Sequence, residues 1–297
     1  MVDRNIELIL LDLDGTLLNT ESEVSATNKK VIKKLMQQGY KVAIATGRHY
    51  KEAKRVTSDL DDLVYITTNG SYVEDAAGKE IFSATIEMNS LMSVIDILEK
   101  ESNLEYALFT TEEVLVKDQH QFLKRIVNSV QSPFKNLAAE EKEKIIVNNE
   151  LEKPLQTETD LKDYVCDEKP AIHKILILGE VEELPRINDE IAANVGTGIE
   201  VTSSGPDNLE INAADISKGR ALDVLTQYLE IPVEQTIAFG DSANDLELLE
   251  TAQTAVVMEN SELEELKEKA DIIAPTNDDD GVAEILSDLL LKKSQTV

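Results

Sequence analysis

Short apolar runs of strand length alternate with segments of helical period over the first 84 residues, and the same pattern returns from residue 213. Ile6 and residues 8–11 form an almost wholly apolar run, the mark of a central parallel strand buried on both faces. A helix is predicted over residues 25–38, with Val31, Ile32, Leu35 and Met36 on one face and Gly39 at the C-terminal cap. Residues 41–45 read as a second buried strand, 50–60 as a helix and 64–67 as a third strand. Strand, helix, strand over some 40 residues is a βαβ unit and implies a parallel sheet. Residues 72–73 and 80–82, across a Gly-containing turn, predict a hairpin.

The pattern changes near residue 85. Helices are expected at 90–100, 119–130, 159–166 and 183–194, and strands at 106–109, 114–116, 144–147, 171–178, 200–202 and 209–212. The last two face each other across Ser203-Ser204-Gly205-Pro206, a strong turn signal. Segment 136–169 is polar and its periodicity is weak. This is α+β patterning, so residues 85–212 are expected to form an inserted second domain, with 1–84 and 213–297 as the core. Beyond it come an amphipathic helix with Ala221, Leu222, Leu225 and Leu229, strands at 235–239, 255–258 and 271–274, and helices through Leu246 to Leu249 and over 281–291. Ser261-x-x-Glu264 reads as a capping box opening a helix that ends at Lys269.

Polar residues punctuate the predicted strand ends. The first strand ends in Asp12-Leu13-Asp14-Gly15-Thr16, the second in Thr46-Gly47-Arg48 and the third in Thr68-Asn69-Gly70. In a parallel sheet these ends share one edge, where open α/β sheets bind ligands. Two carboxylates two residues apart resist joint ionisation unless a cation lies between them, and a hard ion such as Mg²⁺ suits oxygen ligands. The plainer reading of Asp12 and Asp14 is a solvated turn.

Composition narrows the partners. Asp and Glu number 58 against 29 Lys and Arg, a formal net charge of −29, which disfavours nucleic acid and anionic membranes. The single cysteine, Cys166, rules out an intrachain disulfide, fits a reducing cytoplasm and is expected to pack rather than react. No apolar stretch approaches the ~20 residues of a membrane span, and no secretory signal pattern opens the chain. The expectation is a cytoplasmic protein. His49, His120 and His173 have no spacing that suggests a metal site.

Taken in order, Asp-x-Asp-Gly-Thr, Thr-Gly-Arg, Ser217-Lys218-Gly219 and Gly240-Asp241-x-x-Asn244-Asp245 resemble the haloacid dehalogenase superfamily of phosphohydrolases. The insertion after the third strand resembles the type C2 cap, and within that group the Cof-type, sugar-phosphatase-like proteins. Thr67-Thr68-Asn69-Gly70, Leu209-Glu210-Ile211 and Asp280-Gly281-Val282-Ala283 fit the same group. The resemblance implies a Rossmann-like α/β core, with a cap that closes over Asp12 and selects the leaving group. It implies Asp12 as nucleophile, Asp14 as general acid and base, Thr46 and Lys218 on the phosphoryl oxygens, and Mg²⁺ held by Asp12, the Asp14 carbonyl and Asp241. Asn244 and Asp245 would orient Lys218 and the metal's waters. Gly47, Arg48 and Asn69 are the candidate substrate contacts, with surface or turn roles as the alternative. One departure is Met258-Glu259-Asn260-Ser261, where relatives commonly carry Gly-Asn-Ala; Glu259 adds a charge near that strand end.

The expected activity is Mg²⁺-dependent hydrolysis of small phosphorylated metabolites, sugar phosphates or cofactor-type phosphates, by a monomer or weak homo-oligomer. The alternatives are a sugar-phosphate mutase, which should carry more cap cations than Lys117, Lys124, Arg125, Lys169 and Lys174 supply, and a receiver-like phosphoacceptor or binding domain.

Overall fold

The computed structural model describes residues 5–129, 132, 134, 136–147 and 153–291. In chain order the elements are β1 (Leu8–Leu11), α1 (Ala26–Gln37), β2 (Lys41–Ala45), α2 (Tyr50–Val56), β3 (Val64–Thr67), β4 (Tyr72–Glu74) and β5 (Glu80–Ser83). Then come α3 (Met88–Leu98), β6 (Glu105–Phe109), β7 (Val114–Val116), α4 (Gln119–Asn128), α5 (Ala139–Val147), β8 (Leu155–Thr157), α6 (Leu161–Glu168), β9 (Lys174–Leu178), α7 (Leu184–Val195), β10 (Ile199–Thr202) and β11 (Asn208–Ala213). The chain ends with α8 (Lys218–Leu229), β12 (Thr236–Gly240), α9 (Leu246–Thr251), β13 (Thr254–Met258), α10 (Glu264–Lys269), β14 (Ile272–Ala274) and α11 (Gly281–Leu286). It divides into two compact units, residues 1–83 with 217–297 and residues 84–216.

The first unit is built on an eight-stranded sheet in the order β14-β13-β12-β1-β2-β3-β4-β5. The strands are parallel from β14 to β3, and β4 and β5 run on as antiparallel neighbours. Alternate strand residues serve opposite faces, as the period of two requires. Ile9, Leu11, Ile44 and Phe239 pack with Ile32 and Leu35 of α1 and Val282 and Leu286 of α11. Leu8, Leu10, Ala43 and Ala238 pack with Leu222 and Leu225 of α8 and Leu248 of α9. The uninterrupted apolar run of β1 is therefore buried on both sides. Sheet order reverses between β1 and β12, so their carboxyl ends flank the crevice where such sheets take ligands.

The second unit carries a six-stranded sheet, β10-β11-β9-β6-β7-β8, antiparallel except for the β7–β8 pair. Its core joins Leu108, Ile175, Ile177 and Ile211 to Val94 and Ile95 of α3, Leu161 of α6 and Ile187 of α7.

Three expectations need correction. Residues 144–147 are not a strand but the last turn of α5, and Ile145 and Ile146 bury against Leu123 and Val127 of α4. Tertiary packing overrode the β-branched run, and Glu140 and Glu141 in the first turn favour the helix dipole. The strand in this region is instead β8, which lies beside β7 in parallel register. Ser261 does not cap α10, whose N-cap is Leu263 without a side-chain bond; a capping box exists at Ser242 and Asp245. Cys166 is exposed rather than packed. The helix expected over 119–130 ends at Asn128, with Ser129 as its C-cap, and residue 130 lies outside the described residues. Among the described residues, no helix is long and apolar enough to cross a membrane.

Candidate active site

Five strand-end or helix-start segments of the first unit bring the polar residues together. β1 ends at Leu11, so Asp12 leaves the strand directly and is buried, 4% exposed. Lys218 opens α8, behind a Ser217 cap whose hydroxyl accepts from the Arg220 N–H at 2.9 Å. Its side chain is fully buried, and Nζ donates to Asp12 Oδ1 and to Asp245 Oδ1, both at 2.7 Å. Asp245 Oδ2 accepts from the backbone N–H groups of Asp241 and Ser242 at 3.0 and 3.1 Å. The loop after β12 is thus wound around one carboxylate. Asp241 Oδ1 accepts from the Thr16 hydroxyl at 2.8 Å, which ties the β12 loop to the β1 loop. The two loops meet at Gly15, where an added Cβ would lie 2.3 Å from Asp241 Oδ2.

Asp12, Asp241 and Asp245 can each present a carboxylate oxygen within 4.8 Å of the others. Burial pushes the Asp12 carboxyl well above the usual range, Asp245 adds to it, and Lys218 pulls the other way. Burial and then Asp245 raise Asp241 to about 7, against the Thr16 hydroxyl and Lys218. Burial alone would lower the Lys218 ammonium, but Asp12 and Asp245 outweigh it and hold the proton on. When all three are ionised, three carboxylates against one ammonium leave an excess of two negative charges, and that crowding with burial is what holds protons on Asp12 and Asp241 in the absence of a cation. A hard divalent cation with oxygen ligands matches both that charge and that donor set.

Asp14 points elsewhere. Its carboxylate is half exposed and lies in the fork of Arg48, with Nε to Oδ2 at 2.7 Å and Nη2 to Oδ1 at 2.5 Å. Arg48 is thus a partner of the second aspartate, a role that sequence reasoning did not assign. Burial opposes the Arg48 charge, yet Asp14 raises its pKa above the ordinary arginine value. Thr46 is buried at the end of β2, and its hydroxyl accepts from the Arg48 N–H at 3.2 Å. Gly47 lies half-buried between them. Asn69 is buried in a left-handed turn, φ 59°, where its N–H donates to the Thr46 carbonyl at 3.1 Å and its Oδ1 accepts from Asn244 Nδ2 at 3.3 Å. Asn69 therefore ties the β3 turn to the β12 loop. Asn244 touches Asn69 and Ser242, and of the two adjacent residues only Asp245 reaches Lys218.

Sequence reasoning overlooked three residues of this edge. Ser261 donates to the Asp241 carbonyl at 2.6 Å, Asn260 donates to the Gly15 carbonyl at 2.8 Å, and Asn277 donates to the Leu18 carbonyl at 2.8 Å. Two signals were legible: Asn260 and Ser261 lie two and three residues past the end of β13, on the same edge as the other motifs, and the segment stands where relatives commonly carry Gly-Asn-Ala. Glu259 is exposed. Of the histidines, His49 caps α2, His120 pairs with Glu143 and His173 is buried in the second unit; none joins an acidic cluster among the described residues.

Residues 9–286 match the family model of haloacid dehalogenase-like hydrolases. The chain is 30% identical over 287 residues to the 5-amino-6-(5-phospho-D-ribitylamino)uracil phosphatase YwtE of Bacillus subtilis, covering 96% of this chain and 98% of that one. It is 28% identical over 294 residues to phosphatase YwpJ of the same organism, covering 96% and 100%. The solved structure of a haloacid dehalogenase-like hydrolase from B. subtilis superposes with a TM-score of 0.85 at 27% identity, over 96% of this chain and 100% of that chain.

Proposed function

The chain belongs to the haloacid dehalogenase-like hydrolase family, and from that premise we propose that it is a Mg²⁺-dependent phosphomonoester hydrolase acting through Asp12. The observation that carries the reading is the buried Lys218 ammonium bridging Asp12 and Asp245, with Asp241 alongside. A lysine at a helix start opposes the dipole, so its burial there demands the anions it meets. It locks the Asp12 carboxylate in one orientation and adds positive charge where a phosphoryl group would arrive.

In this mechanism Asp12 attacks phosphorus in line with the ester oxygen, and the P–O bond to the leaving group breaks as the aspartyl phosphate forms. Asp14 supplies the proton that the leaving oxygen takes up. Asp14 then removes a proton from water, which attacks phosphorus and returns Asp12 to its free carboxylate with release of inorganic phosphate. The half-exposed Asp14, held by Arg48, can meet both an alcohol and a water; the buried Asp12 can meet only a group admitted to the site. The Thr46 hydroxyl and Lys218 donate to the phosphoryl oxygens. Asp12 and Asp241, with the Asp14 carbonyl, would hold Mg²⁺, which when bound neutralises the excess carboxylate charge and that of the phosphoryl oxygens.

The substrate class proposed is small polyol or sugar phosphates and cofactor-type phosphates, in keeping with the phosphoribityl compound in the name of one relative. Residues 84–216, inserted between β5 and α8, are proposed as the substrate-selecting cap.

Phosphate release from a panel of phosphorylated metabolites, that compound included, tests the reading in Mg²⁺ and in EDTA. Release should require Mg²⁺ and fall to background in Asp12→Asn. Release that survives Asp12→Asn would remove Asp12 from the role of nucleophile.

A further inference from the structure

The turn after β13 carries two side chains that the reaction does not use, and each reaches a different loop of the site. Asn260 Nδ2 donates to the Gly15 carbonyl at 2.8 Å, and the Ser261 hydroxyl donates to the Asp241 carbonyl at 2.6 Å. Asn260 Oδ1 accepts from the backbone N–H of Asn277 at 3.0 Å. A backbone N–H can only donate, so the amide oxygen must face Asn277 and the amide NH₂ must face Gly15. Asn277 extends the contact by donating from Nδ2 to the Leu18 carbonyl at 2.8 Å. The turn itself is anchored, since the Glu259 N–H donates to the Ala274 carbonyl of β14 at 2.9 Å and the Ser261 N–H to the Met258 carbonyl at 3.0 Å.

The two loops it holds carry like charges. Asp12 and Asp14 lie on the first and Asp241 on the second, and like charges at these separations push the loops apart. The Thr16–Asp241 bond joins them through a carboxylate; Asn260 and Ser261 join them through backbone carbonyls. A tie to carbonyls takes up no carboxylate oxygen of the site.

We propose that Asn260 is a positioning residue for phosphoryl transfer. It holds the Gly15 carbonyl, and with it the Asp14–Thr16 segment, at a set distance from Asp241, which its neighbour Ser261 holds. The catalytic consequence rests on the phosphatase reading above; the brace itself does not. Misplacing a reacting group by about 1 Å costs on the order of 10²-fold in rate, so loss of the tie should lower kcat by about 10- to 100-fold with KM within about 3-fold.

The test uses the full chain with Asn260→Ala and Asn260→Asp, and measures both turnover and peptide-level hydrogen exchange. The amides of Thr16, Leu17 and Leu18 donate within the loop, so their exchange reports its opening. Asn260→Asp keeps the acceptor toward Asn277 but sets an oxygen against the Gly15 carbonyl, so it should be at least as damaging as Asn260→Ala. Both variants should lose kcat rather than KM, and both should exchange faster in residues 13–18 while exchange in residues 84–216 is unchanged. Wild-type kcat with wild-type loop exchange in either variant would overturn the proposal. So would faster exchange spread evenly over the whole first unit, which marks a general loss of stability. If the wild type released phosphate from no ester, the phosphatase reading would fail. Loop exchange would then decide the brace alone, and unchanged exchange would overturn it.

Discussion

Lys218 is a cation with no access to water, and two carboxylates keep it charged. Removing one member of such a group leaves its partners buried and uncompensated, which costs about 3–5 kcal/mol. In Lys218→Met, Asp12 and Asp245 would face each other without the shared ammonium. The Asp12 carboxyl, already pushed up by burial, would lose the ammonium that pulls it down and rise further, so the stability its proton contributes is present at low pH and lost as pH rises. Urea denaturation in EDTA should therefore show a large deficit against wild type at pH 8 and a smaller one at pH 5.5, with activity lost at both. An equal deficit at the two pH values would mean that Lys218 stabilises by packing rather than by charge. Asp14 shows how little a residue's place in a motif says of its surroundings. It stands two positions from Asp12, yet Asp12 is buried against Lys218 whereas Asp14 lies half exposed in the Arg48 fork.

Turns, more than strands, set the spacing between elements of the site. Gly70 has φ 98°, and an added Cβ would lie 2.2 Å from the carbonyl oxygen of Ser217, the residue before Lys218. Gly39 has a similar φ of 97° at the end of α1, but nothing lies within 4 Å of an added Cβ. Gly39→Ala should cost only the left-handed backbone penalty, about 1 kcal/mol, and leave kcat unchanged. Gly70→Ala adds a backbone clash to the same penalty, so the start of α8 must shift and carry Lys218 with it. Thermal melts and kcat on the two variants check this; equal losses of activity would show that the close approach at Gly70 does not position Lys218. The elements themselves were largely legible because their patterns are local. The all-apolar β1 and the Ser25-capped, Gly39-ended α1 follow from a few adjacent residues. The apolar end of α5 was not legible, because Ile145 and Ile146 suit a strand as well as a helix and only their contact with α4 decides.

At the scale of the whole molecule, charge is the dominant feature. A chain of net charge −29 gathers three of its carboxylates around one buried lysine. Asp241, at about 7 in the folded protein, lies well above the ordinary 3.8. Between those values the folded state holds a proton that the unfolded state has lost. The resulting stability is full below pH 4 and disappears as pH rises through 7. Without metal, the melting temperature should therefore fall from pH 6 to pH 8. A divalent cation takes the place of the proton, so Mg²⁺ should raise the melting temperature, and more at pH 8 than at pH 6. Calorimetry in EDTA and in Mg²⁺ measures this directly. A Mg²⁺ shift that is equal or larger at pH 6 would place the cation away from the carboxylate cluster.

The sequence by itself determined most of the elements, the parallel core sheet and the edge on which its polar motifs lie, because hydrophobic period and strand-end residues are properties of short stretches. It could not decide who meets whom on that edge. Lys218 is 206 residues from Asp12, Asn260 is 245 from Gly15 and Thr16 is 225 from Asp241. Such pairs exist only once β12 lies beside β1 and β13 beside β12, and sheet order, unlike period, is a property of the whole chain. Arg48 took Asp14, Asn69 took Asn244 and Ser261 took the Asp241 carbonyl for the same reason. Each had a plausible local role, and the tertiary structure placed a better partner within hydrogen-bond distance.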